Sequence, residues 1–583
     1  MSGVSEAERV WWKEAVVYQV YPKSFRDSDG DGVGDLRGLV DRVDYLDDLG
    51  VDAVWLNPVY DSPQVDNGYD ISDYRSIADG YGDMADWERL RDELHDRDMR
   101  LIMDLVVNHT SDQHEWFQRS RREEGEYADY YHWVEGSPEE PPNDWQSVFG
   151  GPAWSYDEER GAWYLHLFDE AQPDLNWTNP DVREAVYDMM RWWLDRGIDG
   201  FRMDVINMIS KAEGYPDGGG EHFMNGPRVH EYVGEMVDEV LADEEILTVG
   251  ETPGASVADA RRYVGEDGLS MVFQFEHVTF DHDEHKWDAR DPDLVEFKQI
   301  LAKWQTGLAE DGWNSLYLNN HDQPRMVSRF GNDDEYRRKS AELLGTLTHT
   351  LCGTPFVYQG EELGMTNAPF ETREDLRDVE ALNYVDATIE DPDTAAESYA
   401  DVRDAVEAIG RDNARTPMQW SGDEHAGFTD GEPWIDVNPN YTEVNVERAR
   451  EDPDSVFHYY RDLIALRDRD LVVYGDFELL YPDHPSLFAY TRTLEVDGDD
   501  GESEGATERA LVVLNFDDEP TTFEAPADVT VDGLELALAN DDAPAVPGRS
   551  FELGPWEARV YLTPDDSDGS DATDRAEPTS ADR

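Results

Sequence analysis

Short β-branched and aromatic runs alternate with amphipathic helical stretches from Val16 to about residue 365, and this alternation most restricts the fold. The runs fall at 16–21, 53–59, 101–107, 200–205, 246–250, 271–275, 315–319 and 355–358. Helical patterns at 39–49, 87–97, 182–196 and 337–351 lie among them. Eight strands alternating with helices predict an α/β chain built on a (β/α)8 TIM barrel. Four segments deliver polar groups at or near strand ends: Asp104-Leu-Val-Val-Asn-His109, Gly200-Phe-Arg-Met-Asp204, Val249-Gly-Glu251 and Asn319-Asn-His-Asp322. In a parallel barrel the carboxyl ends of the strands build the active site, so these residues are expected together.

Spacing exposes the additions. Residues 1–108 and 178–470 are assigned to the barrel. The intervening 109–177, rich in Trp, Tyr, Pro and Gly, are too long for a loop and predict a small inserted domain after the third strand. An irregular stretch at about 366–450 follows the eighth strand, where a lid belongs. Short alternating runs over 471–564 predict a C-terminal antiparallel β-sandwich. The Asp/Ser/Thr-rich residues 565–583 are expected to be a disordered acidic tail.

Composition narrows the partners. The chain has 133 Asp plus Glu against 48 Lys plus Arg, a formal net charge of −85, and only seven lysines. A nucleic-acid partner is disfavoured, because phosphate binding needs a basic face. Such self-repulsion destabilises a compact state unless salt screens it, which points to a cytoplasm of molar salt and a halophilic source. Cys352 is the only cysteine, so an intramolecular disulfide is excluded. The polar N-terminus lacks an apolar signal core, and no apolar run is long enough to span a membrane, so a soluble cytoplasmic protein is expected. Monomer and weak homo-oligomer both remain open.

The three carboxylates differ in their surroundings. Arg202 lies two residues before Asp204 and so faces the same side of its strand. A cation there keeps the carboxylate ionised, as a nucleophile requires. Glu251 ends an apolar strand, where desolvation and neighbouring carboxylates raise its pKa toward that of a general acid. Asp322 follows His321. Separately, Asp27-Ser-Asp-Gly-Asp-Gly-Val-Gly-Asp35 places carboxylates at alternate positions, with Gly32 at a sharp turn. Asp27, Asp29, Asp31, the Val33 carbonyl and Asp35 are the first part of a calcium-loop pattern, without its terminal Glu.

In these motifs the chain resembles glycoside hydrolase family thirteen, the α-amylase family, in its oligo-1,6-glucosidase and α-glucosidase branch. The resemblance is carried by the four segments above and by Gln172-Pro-Asp-Leu-Asn-Trp177, Asp66-Asn-Gly-Tyr-Asp70 and Arg411-Asp-Asn-Ala-Arg-Thr-Pro-Met-Gln-Trp420. It runs from about Trp11 to the C-terminal sandwich. It implies Asp204 as nucleophile, Glu251 as acid/base and Asp322 as the residue that fixes the distorted sugar. It further implies His109 and His321 on glucose hydroxyls, Tyr69 stacked on the sugar, and Asp66 with Arg411 (Arg415 competing) closing the pocket. The substrate would then be a small oligosaccharide trimmed from its end. A structural Ca²⁺, sometimes Mg²⁺, is implied for the 27–35 loop. In this branch Val after the nucleophile accompanies α-1,6 preference, and here that residue is Val205. The alternatives are an α-1,4-preferring maltase or a transglycosylase or isomerase such as trehalose or isomaltulose synthase. Segment 323–330 looks hydrolase-like. A non-catalytic, membrane-anchored partner subunit of similar fold would have lost the carboxylates that this chain keeps.

Overall fold

The computed structural model describes residues 9–242, 244–265, 268–283, 285–391, 394, 396–496 and 506–564; the expected acidic tail lies outside the described residues. All eight expected strands are present: β1 (Val17–Val20), β2 (Ala53–Leu56), β3 (Arg100–Val106), β4 (Gly200–Asp204), β5 (Leu247–Glu251), β6 (Met271–Phe273), β7 (Ser315–Leu316) and β8 (Thr354–Tyr358). They pair in parallel in the order β6-β5-β4-β3-β2-β1-β8-β7. A parallel bridge between Val272 and Asn314 joins the two ends, and Ser315 Oγ donates to Val272 O at 2.8 Å, so the sheet closes on itself. The single helix expected at 39–49 is two, Leu36–Val40 and Val43–Leu49, because Arg42 (φ −117°, ψ 4°) leaves the helical region.

The two-residue period of a strand sorts the side chains into two populations. One set, including Tyr18, Val54, Leu101, Met103, Phe201 and Met203, packs outward in the large core shared with the helices. The other faces the barrel axis. Its lower members, Val17, Ala53, Trp55, Ile102, Leu247 and Val249, form an apolar plug. Two residues further along the same faces the chemistry turns polar: Gln19, Asn57, Asp104, Arg202, Asp204 and Glu251 are all buried. One register therefore gives a dry floor and an ionisable layer above it.

Between β3 and the helix Pro180–Leu194, strands Trp133–Glu135, Trp154–Asp157 and Ala162–Leu165 form a three-stranded antiparallel sheet. Its core of Trp145, Phe149, Trp154 and Leu165 is continuous with Val205 and Met208, just beyond β4. After β8, helices Val379–Glu390 and Arg403–Ile409 enclose a small separate core around Phe370, Val385, Val406 and Ile435.

The C-terminal domain pairs a five-stranded antiparallel sheet with a two-stranded one, Thr521–Glu524 with Ser550–Leu553. Leu487, Ala489, Leu511 and Val513 face Phe523 and Leu553 between the layers, while Phe488, Tyr490, Val512 and Leu514 face the barrel. Lys298, wholly buried on the barrel helix Leu294–Gly307, donates to the carbonyls of Tyr481, His484 and Leu487 at 2.8, 2.5 and 2.9 Å. Among the described residues, no helix is long and apolar enough to cross a membrane.

Candidate active site

One guanidinium organises the centre. Arg202 Nη1 donates to Asp104 Oδ1 at 2.9 Å and to Asp204 Oδ1 at 2.6 Å, while Nη2 donates to Glu251 Oε2 at 2.6 Å. Asp204 and Glu251 therefore sit side by side on one guanidinium, each 2.6 Å from it. A shared guanidinium suits the closer spacing, roughly 5–5.5 Å, of a retaining pair better than the wider gap of an inverting one. The amide of Val205 donates to Glu251 Oε2 at 3.1 Å. To do so the chain turns into the left-handed region (φ 32°, ψ 42°), a strained conformation for a β-branched residue.

A second group lies across the cavity. Tyr69 donates to Asp104 Oδ2 at 3.0 Å and stacks one ring face on His321, with centroids 5.2 Å apart and planes inclined by 6°. His321 Nδ1 meets Gln19 Nε2 at 2.9 Å, and its Nε2 lies 3.3 Å from Asp322 Oδ2 without an aligned hydrogen bond. Arg411 Nη1 and Arg415 Nη2 reach Asp322 Oδ1 at 3.3 and 2.9 Å. Arg411 Nη2 also reaches Asp66 Oδ1 at 3.3 Å, and Gln172 Nε2 bridges Asp66 Oδ2 (3.2 Å) to His109 Nε2 (3.3 Å). Of the two arginines considered from sequence, Arg411 lines the cavity, whereas Arg415 stands behind Asp322.

These groups surround a cavity of about 280 Å³. Asp66 and Arg411, 6% and 7% exposed in their side chains, are nearly buried in its lining. Lys286 and Glu380, paired at 2.5 Å and 27% and 14% exposed, are among its more exposed lining groups. Phe149 from the inserted domain lies under the Arg411 guanidinium, 4.8 Å from its carbon, and its carbonyl accepts from Asn383 Nδ2 at 3.2 Å. From sequence, Asp104 and Gln172 stood in the site motifs without a role of their own, and Lys286 and Glu380 were missed. Asp104 carried a signal, as a lone acid inside an apolar strand; Lys286, on an irregular segment, and Glu380, in the first turn of a helix 94 residues further on, carried none.

Burial separates the protonation states. It pushes Glu251 up to about 8 against the pull of Arg202, with Asp204 and Asp322 adding to the rise. Asp204 is pushed up to about 6 by burial, opposed by Arg202, and so sits higher than a cation alone would leave it. The order still holds: near neutral pH Asp204 is ionised and Glu251 carries a proton. Burial works against the charge of Asp322, but His321, Arg411 and Arg415 outweigh it and hold the carboxyl well below the usual range. Burial lowers His109 to about 4 and His321 to about 3, so both are neutral hydrogen-bonding groups.

In the 27–35 loop, carboxylate oxygens of Asp27, Asp29 and Asp35 lie within 4.8 Å of one another. Asp31 lies outside that group, its Oδ1 accepting from the half-buried Val33 amide at 2.8 Å. Hard oxygen donors at this spacing fit a cation such as Ca²⁺. The loop is pinned to segment 428–434: Asp27 N donates to Phe428 O at 3.1 Å and Trp434 N to Gly32 O at 2.9 Å. Gly32 has φ +94°, and a Cβ there would stand 1.8 Å from Glu432 O.

A (β/α)8 barrel with a buried carboxylate pair at its strand ends defines the chain as a glycoside hydrolase. The alpha amylase catalytic domain matches residues 19–475 and the maltogenic amylase C-terminal domain residues 477–560; the chain belongs to the α-amylase family. It is 52% identical to an oligo-1,6-glucosidase from Parageobacillus thermoglucosidasius, over 95% of this chain and 99% of that protein. An oligo-1,6-glucosidase from Bacillus cereus is 51% identical, with the same shares covered. A trehalose-6-phosphate hydrolase variant from Bacillus licheniformis superposes with TM-score 0.89 at 46% identity, covering 95% of this chain and all of that one.

Proposed function

We propose that this enzyme is an exo-acting, retaining α-glucosidase that releases glucose from the non-reducing ends of short α-glucosides and prefers isomaltose-type α-1,6 bonds. The observation that carries the reading is the small cavity, lined by the nearly buried Asp66–Arg411 pair, with Asp204 and Glu251 both held on Arg202. A terminal glucose fills such a cavity, and a chain cannot thread through it. Asp204 attacks the anomeric carbon while Glu251 gives its proton to the glycosidic oxygen, leaving a glucosyl ester on Asp204. Glu251 then takes a proton from water, which attacks the same carbon from the opposite face. Two inversions return the starting configuration.

The remaining roles follow from position. His109 and His321 bind hydroxyls as neutral rings, Tyr69 offers its ring to the sugar, and Asp322 anchors hydroxyls of the distorted glucose. Arg202 holds the two reacting carboxylates, and Lys286 with Glu380 meets the departing sugar. The α-1,6 preference draws support from the relatives named oligo-1,6-glucosidase and from Val205 beside the nucleophile. Initial rates on isomaltose, maltose and sucrose in molar KCl test the reading. Isomaltose should give the highest kcat/KM. Faster maltose cleavage would overturn the linkage preference, and rearranged disaccharide in place of glucose would overturn hydrolysis. Val205→Ala should raise the maltose-to-isomaltose ratio by about 10-fold, since methyl-scale changes are worth about 1–3 kcal/mol.

The 27–35 loop serves as a structural Ca²⁺ (or Mg²⁺) site, with the carboxylates of Asp27, Asp29 and Asp35 as donors. It fastens the loop after β1 to segment 428–434 and takes no part in the chemistry. Stripping with EDTA should lower Tm, and added Ca²⁺ should restore it. The gain should correspond to about 2.7 kcal/mol at a hundredfold excess over Kd, with kcat at 25 °C unchanged. A Tm indifferent to EDTA and Ca²⁺ would remove the site.

A further inference from the structure

Asp378 is wholly buried and lies outside every motif that announced the site. Its Oδ1 lies 2.8 Å from Arg411 Nε, 2.5 Å from Arg411 Nη2 and 3.2 Å from Arg415 Nη1. Its Oδ2 caps the lid helix Val379–Glu390, accepting from Ala381 N at 3.1 Å. Both arginines continue to Asp322, and Arg411 also to Asp66, but the shortest of all these contacts is the one from Arg411 to Asp378. In the first turn of that helix, Glu380 approaches Arg411 Nε at 3.5 Å and pairs with Lys286, and both line the cavity.

We propose that Asp378 is a positioning residue: it fixes the Arg411–Arg415 pair against Asp322 and ties that geometry to the seating of the lid helix. The inference rests on the α-glucosidase reading. Without the Asp378 charge, the two buried guanidiniums are left to Asp322, Asp66 and the more distant Glu380, and either arginine can draw Asp322 from the sugar. The charge is the decisive property, because capping alone does not need it: Asn and Asp cap helices about equally well.

The two roles therefore separate in two variants, Asp378→Asn and Asp378→Glu, measured in molar KCl with p-nitrophenyl α-glucoside and, by calorimetry, with glucose alone. Asp378→Asn should keep Tm within a few degrees of wild type yet lose about 100-fold in kcat/KM, mostly through kcat, the scale of a slight misplacement at a reacting centre. Its affinity for glucose should fall about tenfold, a loss on the scale of one weakened hydrogen bond to a charged group. Asp378→Glu should recover part of the activity although its Tm is lower. Wild-type kinetics and glucose affinity in Asp378→Asn would overturn the proposal, as would failure of that variant to fold, which would make the role structural. Lack of α-glucosidase turnover in the wild type would instead defeat the parent reading, and the glucose titration would still decide this one.

Discussion

Asp204→Asn should lower kcat on p-nitrophenyl α-glucoside by about 10⁴-fold or more, the usual scale for deleting a covalent nucleophile. The amide keeps the size of the carboxylate and can still meet Arg202, so the loss would report lost nucleophilicity rather than a collapsed site. Azide sharpens the assignment. Added to Asp204→Ala, it can enter the vacated space and attack the anomeric carbon from the nucleophile's side, giving β-glucosyl azide. Added to Glu251→Ala, it intercepts the glucosyl ester from the opposite face and gives α-glucosyl azide. The same product from both variants would refute the assignment. The pH profile carries the same sign logic. Asp204 must be ionised, so kcat/KM falls as pH drops through about 6; Glu251 must be protonated, so it falls as pH rises through about 8. Because the two share Arg202, the limbs belong to the pair, and Glu251→Gln should abolish the upper one.

The second large effect is expected from salt. Even with every basic side chain paired, 85 negative charges are left over on a chain of 583 residues. At about 0.1 M salt the Debye length is about 10 Å and these charges repel across the surface; at about 1 M it is about 3 Å and the repulsion is largely screened. Tm should therefore rise by about 10 °C or more between 0.1 and 3 M KCl, the larger part of it below about 1 M. General salting-out acts differently, since it continues to grow with concentration. A Tm independent of KCl would show that the acidic surface is no adaptation to salt.

Much of the site was legible because the strand period writes it into the sequence. The apolar residues that plug the barrel are followed two positions on by the polar ones above them, so the strand period alone puts Asp204 and Glu251 at strand ends. Even the short β6 and β7 emerge where apolar runs placed them. The rest depends on long-range contact. That one arginine serves Asp104, Asp204 and Glu251 follows from three strands meeting, which pairwise spacing does not reveal. The choice between Arg411 and Arg415 turns on which of two residues in one helical turn faces the cavity. The left-handed backbone of Val205 is invisible in its residue type, which argues against it. Asp378 and Glu380 sit on a helix whose sequence gives no hint of the arginine it meets.

The account turns on one event, double displacement at the anomeric carbon by Asp204 and Glu251. Proton NMR of p-nitrophenyl α-glucoside hydrolysis, recorded within the first minutes in molar KCl, observes its outcome directly. α-Glucose should appear first and convert to the equilibrium mixture by mutarotation. β-Glucose appearing first would mean a single displacement by water, and the paired carboxylates would need different roles.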